Sequence, residues 1–192
     1  MQTLREAIES RGQAVGSSIV KVDNFLNHRI DTRLMFAMGQ ALADHFRPAA
    51  PTLIMTVEAS GIALAMAVAH ALDDLPVVFA KKSPALNQGP NLVQERIYSF
   101  THQTECVIRA DRGYVPAGSR VLVVDDFLAD GEAVRGMLSL VQQCQSQVIG
   151  VGIAIEKGFQ PGGNALRAQG VDLKSLAVIR EIRDGRFLFC DC

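Results

Sequence analysis

Tryptophan is absent from this 192-residue chain, and several functional signals are absent with it. Charge of one sign is lacking: 19 lysines and arginines against 20 acids leave a formal net charge of −1. A domain held on nucleic acid by electrostatics carries a basic excess or stripe, so the composition argues against that class. Long apolar runs are lacking too. Residues 59–72 come closest, but they are too short for a bilayer span and contain His70. The opening MQTLREAIESRG is charged and amphipathic, without the apolar core of a secretory leader. No nucleic-acid partner, no membrane association and a cytoplasmic address are therefore expected. The four cysteines form no metal pattern: Cys190 and Cys192 make a C-x-C without ligands at zinc spacing, and Cys106 and Cys144 stand alone. Neither a G-x-G-x-x-G fingerprint nor a P-loop occurs.

What is present is the composition of an α/β domain. Hydrophobic residues make up 48% of a chain long enough to enclose one sizeable core, and no linker divides it, so residues 1–192 are read as one domain. Residues 3–11 read as a short helix. Asp31 is placed to cap a helix over about 32–46, with Leu34, Met38, Leu42 and His45–Phe46 on one face. TLIMTV (52–57) is a β-branched strand, IALAMAVAHAL a helix apolar on most faces and hence well buried, and PVVFAKK (76–82) a second strand. Residues 83–96, with two prolines, two asparagines and a glycine, read as a long mobile loop. One or two strands follow in 97–110, then a strand at RVLVVDDF, a helix at GEAVRGMLSLVQQC, a strand at 148–156, a short helix and a last strand in VDLKSLAVIREI.

Strands near 53, 77, 121 and 150 that are apolar on both faces predict a mainly parallel sheet with helices on both sides. Ligands of such sheets bind beyond the carboxyl ends of the strands. The segments found there are EASG, KKS, DDFLADGEA and EKGFQPG, all polar or glycine-bearing. In VLVVDDFLADGEA a buried strand runs directly into two adjacent carboxylates. Residues 128–133 then lead through Gly131 into a helix, whose free N–H groups suit a phosphate. Asp125 and Asp126 are able to accept hydrogen bonds from vicinal ribose hydroxyls and to stabilise positive charge developing on the sugar. The plainer alternative is a βα turn whose acids cap the helix, with Asp130 as N-cap.

VLVVDDFLADGEA resembles the phosphoribosyl pyrophosphate (PRPP) motif of the type I phosphoribosyltransferases. With KVDNFLNHRID, TVEASGIALA, PVVFAKK, YSFTHQTE and IEKGFQPG, it is similar to the xanthine-specific bacterial members over about residues 20–180. NFLNH and EKGFQPG are the segments that point to that branch. The resemblance implies a type I phosphoribosyltransferase fold, in which a hood built from about 1–30 and 157–192 covers the base. It implies the conversion of xanthine and PRPP to xanthosine 5′-monophosphate and pyrophosphate in purine salvage. It also implies a homodimer, and Mg²⁺ held mainly by PRPP rather than by protein side chains.

By matching position, the resemblance gives Asp125 and Asp126 the ribose hydroxyls. It gives Leu128, Ala129, Asp130, Gly131 and Glu132 the 5′-phosphate, and Glu58 and Ser60 the pyrophosphate. Lys81 and the 83–96 loop take the closure over PRPP, which excludes water. Val20, Asn27 and Lys157 take the purine: a lysine favours the anion of an acidic oxopurine, and an amide reads a mixed donor–acceptor edge. Phe159 is read either as a stacking partner of the base or as local packing.

Two departures from the family pattern stand out. Ala129 occupies the place of a third acid that many purine enzymes of the family use as a proton donor or acceptor. Asp130 and Glu132 replace neutral residues in the phosphate loop, and both are expected to turn aside so that the amides bind. The rival readings are the same transfer to guanine, hypoxanthine or adenine, a PRPP-sensing regulator, and a nucleotide-binding domain without catalysis. The regulators that resemble this core carry an additional N-terminal winged helix and a basic face, whereas here about 20 residues precede the matching segment.

Overall fold

A computed structural model of the chain describes residues 1–82, 91–99 and 104–190. The elements are α1 (Gln2–Arg11), β1 (Gln13–Val15), β2 (Ile19–Lys21), one wide helical turn at Asp23–Asn27, α2 (Thr32–Phe46), β3 (Leu53–Val57), α3 (Gly61–Ala71) and β4 (Val77–Ala80). They continue with β5 (Leu92–Ser99), β6 (Thr104–Asp111), β7 (Arg120–Leu128), α4 (Glu132–Gln143), β8 (Gln147–Lys157), α5 (Gly162–Ala168), β9 (Leu173–Arg183) and β10 (Arg186–Phe189).

Six strands form the central sheet in the order β10-β9-β8-β7-β3-β4, parallel throughout except for the β9–β10 pair. The expected parallel sheet flanked by helices is the one found. Alternation along β7 shows why both faces need cover. Leu122 and Val124 enter one apolar cluster with α1, α2 and α3; Val121 and Val123 enter the other with α4, α5 and the β5–β6 hairpin. Asp31 caps α2 as expected, its carboxylate accepting the Leu34 N–H at 3.2 Å. None of the helices among the described residues is long and apolar enough to cross a membrane.

The structure corrects two expectations. Residues 92–96, read as part of a mobile loop, are strand β5 paired antiparallel with β6; the ladder holds them despite their weak periodicity. Residues 83–90 lie outside the described residues. Helix α3 is well buried as expected, with six of its eleven residues buried, but Met66 is 61% exposed and, with Ile30 and Phe36 of the α2 region, lines an apolar groove between α2 and α3. Within residues 157–192, β9 and β10 extend the central sheet. Finally, β1, β2 and β10, which the sequence pattern did not reveal, are too short for periodicity to distinguish them from turns.

The N-terminal region is tied to the far edge of the sheet. Arg5 donates to the Cys190 carbonyl at 2.6 Å, and the α-amino group of Met1 donates to the Leu176 carbonyl at 2.5 Å. The β1–β2 hairpin thereby overhangs the carboxyl end of β8, where its Ser18 carbonyl accepts from Lys157 Nζ at 3.0 Å.

Candidate active site at the switch point of the sheet

Chain order reverses in the sheet between β3 and β7: β3 continues outward to β4, while β7 continues the other way through β8 to β9. The helices leaving these two strands therefore go to opposite faces, α3 to one and α4 to the other. Strands β3 and β7 stay in register only as far as Met55 opposite Val123; beyond that β7 keeps its pairing with β8 and β3 with β4, and a crevice opens between them. This is where ligands of open parallel sheets bind. Its walls are the Glu58–Gly61 turn on one side and residues 125–132 on the other.

Asp125 and Asp126 project at the floor of this crevice, each only 5% exposed. Burial, and after it the neighbouring charge of Asp126, raise the Asp125 carboxyl well above the usual carboxylate range. Its Oδ1 accepts the Asp126 N–H at 2.9 Å. Asp126 is held from both walls: Ser60 Oγ donates to Oδ1 at 2.9 Å and Asn27 Nδ2 donates to Oδ2 at 3.1 Å. Gly61 begins α3 hard against this pair. A Cβ there would press into the Thr56 hydroxyl and stand 2.7 Å from Asp125 Oδ1, so only glycine brings the helix N-terminus this close. The buried Thr56 Oγ1 has no hydrogen-bond partner among the described residues.

The turn from β7 into α4 takes three residues, which requires a left-handed step. Gly131 makes it at φ +88° and is the N-cap of α4, a place expected for Asp130. Asp130 Oδ1 instead accepts the Glu132 N–H at 3.2 Å, and the Glu132 carboxylate pairs with Arg135 at 2.5 Å. The start of α5 braces this turn from behind. The Gly162 N–H donates to the Ala129 carbonyl at 3.1 Å, and a Cβ on Gly162 would lie 2.5 Å from that oxygen. Helix α5 is itself anchored by a buried acid: Glu156 accepts two 2.7 Å bonds from the Arg167 guanidinium and a third from Ser175. Burial alone would raise the Glu156 carboxyl; the bonds from Arg167 and Ser175, with the charge of Arg167, hold it below its ordinary value.

Asn27 reaches the acid pair, and Lys157 is bonded to the β1–β2 hairpin that carries Val20. Val20 is buried in β2. Lys157 Nζ lies 5.9 Å from the Phe127 ring, and burial, opposed by the charge of Asp130, lowers its pKa. On the other side of β3, the Glu58 carboxylate accepts the Lys82 N–H at 2.5 Å, and Lys81 is joined to β6 through paired backbone bonds with Arg109. Among the described residues no three or more His, Cys, Asp or Glu side chains converge as a metal cage. Asp125 and Asp126 are the acids available at the crevice floor, a donor set that suits a cation arriving on its own polyanionic ligand.

The phosphoribosyl transferase domain family matches residues 21–162, a span that contains both crevice walls, Asn27 and Lys157. The chain belongs to that family. It is 47% identical to a xanthine phosphoribosyltransferase of Heliobacterium modesticaldum over 98% of this chain and 100% of the relative. It is 42% identical to the Clostridioides difficile xanthine phosphoribosyltransferase over the same shares. Among solved structures, adenine phosphoribosyltransferase of Rhodothermus marinus superposes with a TM-score of 0.75 at 23% identity, covering 93% of this chain and all of the other. The Saccharomyces cerevisiae adenine phosphoribosyltransferase gives a TM-score of 0.72 at 19% identity over 92% and 99% of the two chains. These likenesses establish the type I fold.

The residues singled out in the sequence fall into two groups. Asp125, Asp126, Ser60, Asn27 and the 128–132 turn lie around one crevice; Lys157 is bonded to the hairpin that carries Val20, and Lys81 stands beyond β4, toward β6. Phe159 packs against the apolar cluster on the α2–α3 face. Four features went unread. Arg135 was detectable as a cation three residues after Glu132 on a helix. Phe127, Gly162 and the Ser18 carbonyl gave no signal, because their roles depend on segments far apart in sequence.

Proposed function

We propose that this chain is a purine-salvage enzyme that transfers the phosphoribosyl group of PRPP to xanthine, giving xanthosine 5′-monophosphate and pyrophosphate. The observation that carries the reading is the acid pair at the switch point, followed within one turn by a glycine-cornered helix N-terminus. The likeness to xanthine phosphoribosyltransferases over nearly the full length of the chain supplies the base.

In this reading the 5′-phosphate takes the amides of 128–132, and the ribose hydroxyls take Asp125 and Asp126. The pyrophosphate lies toward Glu58 and Ser60, with Lys81 on the side that closes over it. Mg²⁺ bound with PRPP would supply charge neutralisation for the leaving pyrophosphate, with Asp125 and Asp126 the acids placed to face it. As the C1–O bond breaks, positive charge grows on the ribose ring beside two buried carboxylates, where a low local dielectric makes their stabilisation large. A ring nitrogen of xanthine bonds to C1 and its proton is lost to water, since Ala129 offers no base. Xanthine is acidic enough for this to suffice. Lys157 meets a carbonyl or the anion of the base, Asn27 links the base to Asp126, and Val20 lies against the ring. About residues 1–30 and 157–192 form the hood. The active form is a homodimer built on the apolar groove between α2 and α3, and it works in the cytoplasm.

The test is product formation with PRPP, Mg²⁺ and each of xanthine, guanine, hypoxanthine and adenine. Xanthine is expected to have the highest kcat/KM. Strong turnover of guanine with none of xanthine overturns the specificity, and tight PRPP binding without turnover of any base marks a sensor instead.

A further inference from the structure

Two acids in a phosphate-binding turn present a physical problem. Glu132 opens helix α4, so its carboxylate starts beside the very amides that face the ligand, and Asp130 already occupies the Glu132 N–H at 3.2 Å. One guanidinium lies along the whole turn. Arg135 Nη2 donates to Glu132 Oε1 at 2.5 Å and to the Asp130 carbonyl at 2.9 Å, while Nη1 stands 2.9 Å from where a Cβ on Gly131 would be. A helical Glu–Arg pair three residues apart is usually a surface ornament of small worth. This one has a second bond, to the backbone of the turn, which a surface pair does not make.

We propose that Arg135 is a positioning residue for the phosphate loop: it draws the Glu132 carboxylate out of the cradle and pins the Asp130 carbonyl, so that a turn bearing two acids still receives a dianionic phosphate. The inference rests on the reading of residues 128–132 as the PRPP 5′-phosphate site. Its chemical content is compensation. With Arg135 in place, Glu132 contributes no net charge to the turn and the carbonyl of residue 130 is directed away from the ligand. What remains is the Asp130 carboxylate, which leaves the Glu132 N–H when phosphate takes it. Arg135 itself need not touch the phosphate.

The experiment compares wild type, Arg135→Ala, Glu132→Gln and the double variant by steady-state kinetics with PRPP and xanthine varied separately, alongside thermal unfolding. Removing Arg135 alone leaves an uncompensated carboxylate beside the phosphate and is expected to raise KM for PRPP about tenfold, with kcat and the xanthine KM within about twofold. Glu132→Gln alone is the reference in which the repelling carboxylate is gone and Arg135 remains. The double variant recovers to within about threefold of wild type, because the repelling charge has gone with its partner. Arg135→Gln, which keeps most of the side chain, gives the same PRPP readout if the alanine variant does not fold. A PRPP KM unchanged in Arg135→Ala, or a double variant as impaired as the single one, overturns the inference while leaving the phosphate site standing. Wild-type protein that does not bind PRPP with Mg²⁺ by calorimetry overturns the site reading and the inference together.

Discussion

Replacing Gly162 by alanine tests how the turn from β7 into α4 is braced while leaving every residue proposed to meet the substrate unsubstituted. The added methyl would lie 2.5 Å from the Ala129 carbonyl oxygen, 2.6 Å from the Asp130 carbonyl carbon and 2.6 Å from the Gly131 nitrogen. All three are backbone atoms, so no flexible side chain gives way. Non-bonded carbon contacts are comfortable at about 3.5 Å, so the turn has to retreat by roughly 1 Å. Overpacking of this kind costs about 1–3 kcal/mol, or roughly 2–10 °C in Tm for a chain of this length. A shift of about 1 Å in a positioning element costs up to about a hundredfold in rate, so kcat/KM for PRPP should fall by ~10- to 100-fold. The comparison is Gly118→Ala, whose φ is +81° with nothing within 4 Å of the added methyl. That variant should lose about 1 kcal/mol to the left-handed backbone alone, and its PRPP kinetics should not change. Steady-state assays and thermal scans on the two proteins decide the matter. A Gly162→Ala enzyme with a PRPP KM within twofold of wild type, or a Gly118→Ala enzyme equally impaired, refutes the bracing role of α5.

Asp125→Asn should abolish most turnover, by about a hundredfold or more, yet stabilise the ligand-free protein at neutral pH, because it removes a charge whose burial is unfavourable. The sign follows from the raised folded-state value: between the ordinary carboxylate range and that value the native state holds more protons than the unfolded chain. The wild type should therefore gain stability as pH falls through the window, and the asparagine variant should lack that gain in pH-dependent denaturation. Arg167→Ala strands the buried Glu156 carboxylate and should cost about 2 kcal/mol, a value discounted because Arg167 is itself 42% exposed. Glu156 has the opposite sign to Asp125. Its folded-state value is lowered, so the stabilisation is present at neutral pH and is lost as pH falls through the folded-state value, where the Arg167→Ala penalty should shrink in urea titrations. Met66→Glu, set in the apolar groove beside Phe36, should yield a monomer in sedimentation; an unchanged sedimentation coefficient for a dimeric wild type would move the subunit contact elsewhere.

Local chemistry was readable wherever one stretch of chain contains the whole device. The run VLVV could only be a buried strand, the acids after it had to stand at its carboxyl end, and Asp31 capped α2 from a position its sequence neighbours define. The turn from β7 into α4 was legible for the same reason, since its amides and its glycine are consecutive. Its cap was misassigned to Asp130 because the turn is tighter than the residue types alone imply, and the left-handed step fell to Gly131.

The amino-acid order by itself determined the alternation of strands and helices, the parallel sheet, and the family to which the acid pair belongs. Those follow from periodicity, β-branching and glycine placement, which act over a few residues. Tertiary structure alone decided what the acid pair is bound to. Asn27 and Ser60 reach Asp126 across 99 and 66 residues of chain, the Ser18 carbonyl meets Lys157 across 139, and Gly162 fits beneath a turn some thirty residues earlier. Only closure of the sheet brings such groups within hydrogen-bond range, because no local pattern records which distant backbone will stand opposite a given side chain.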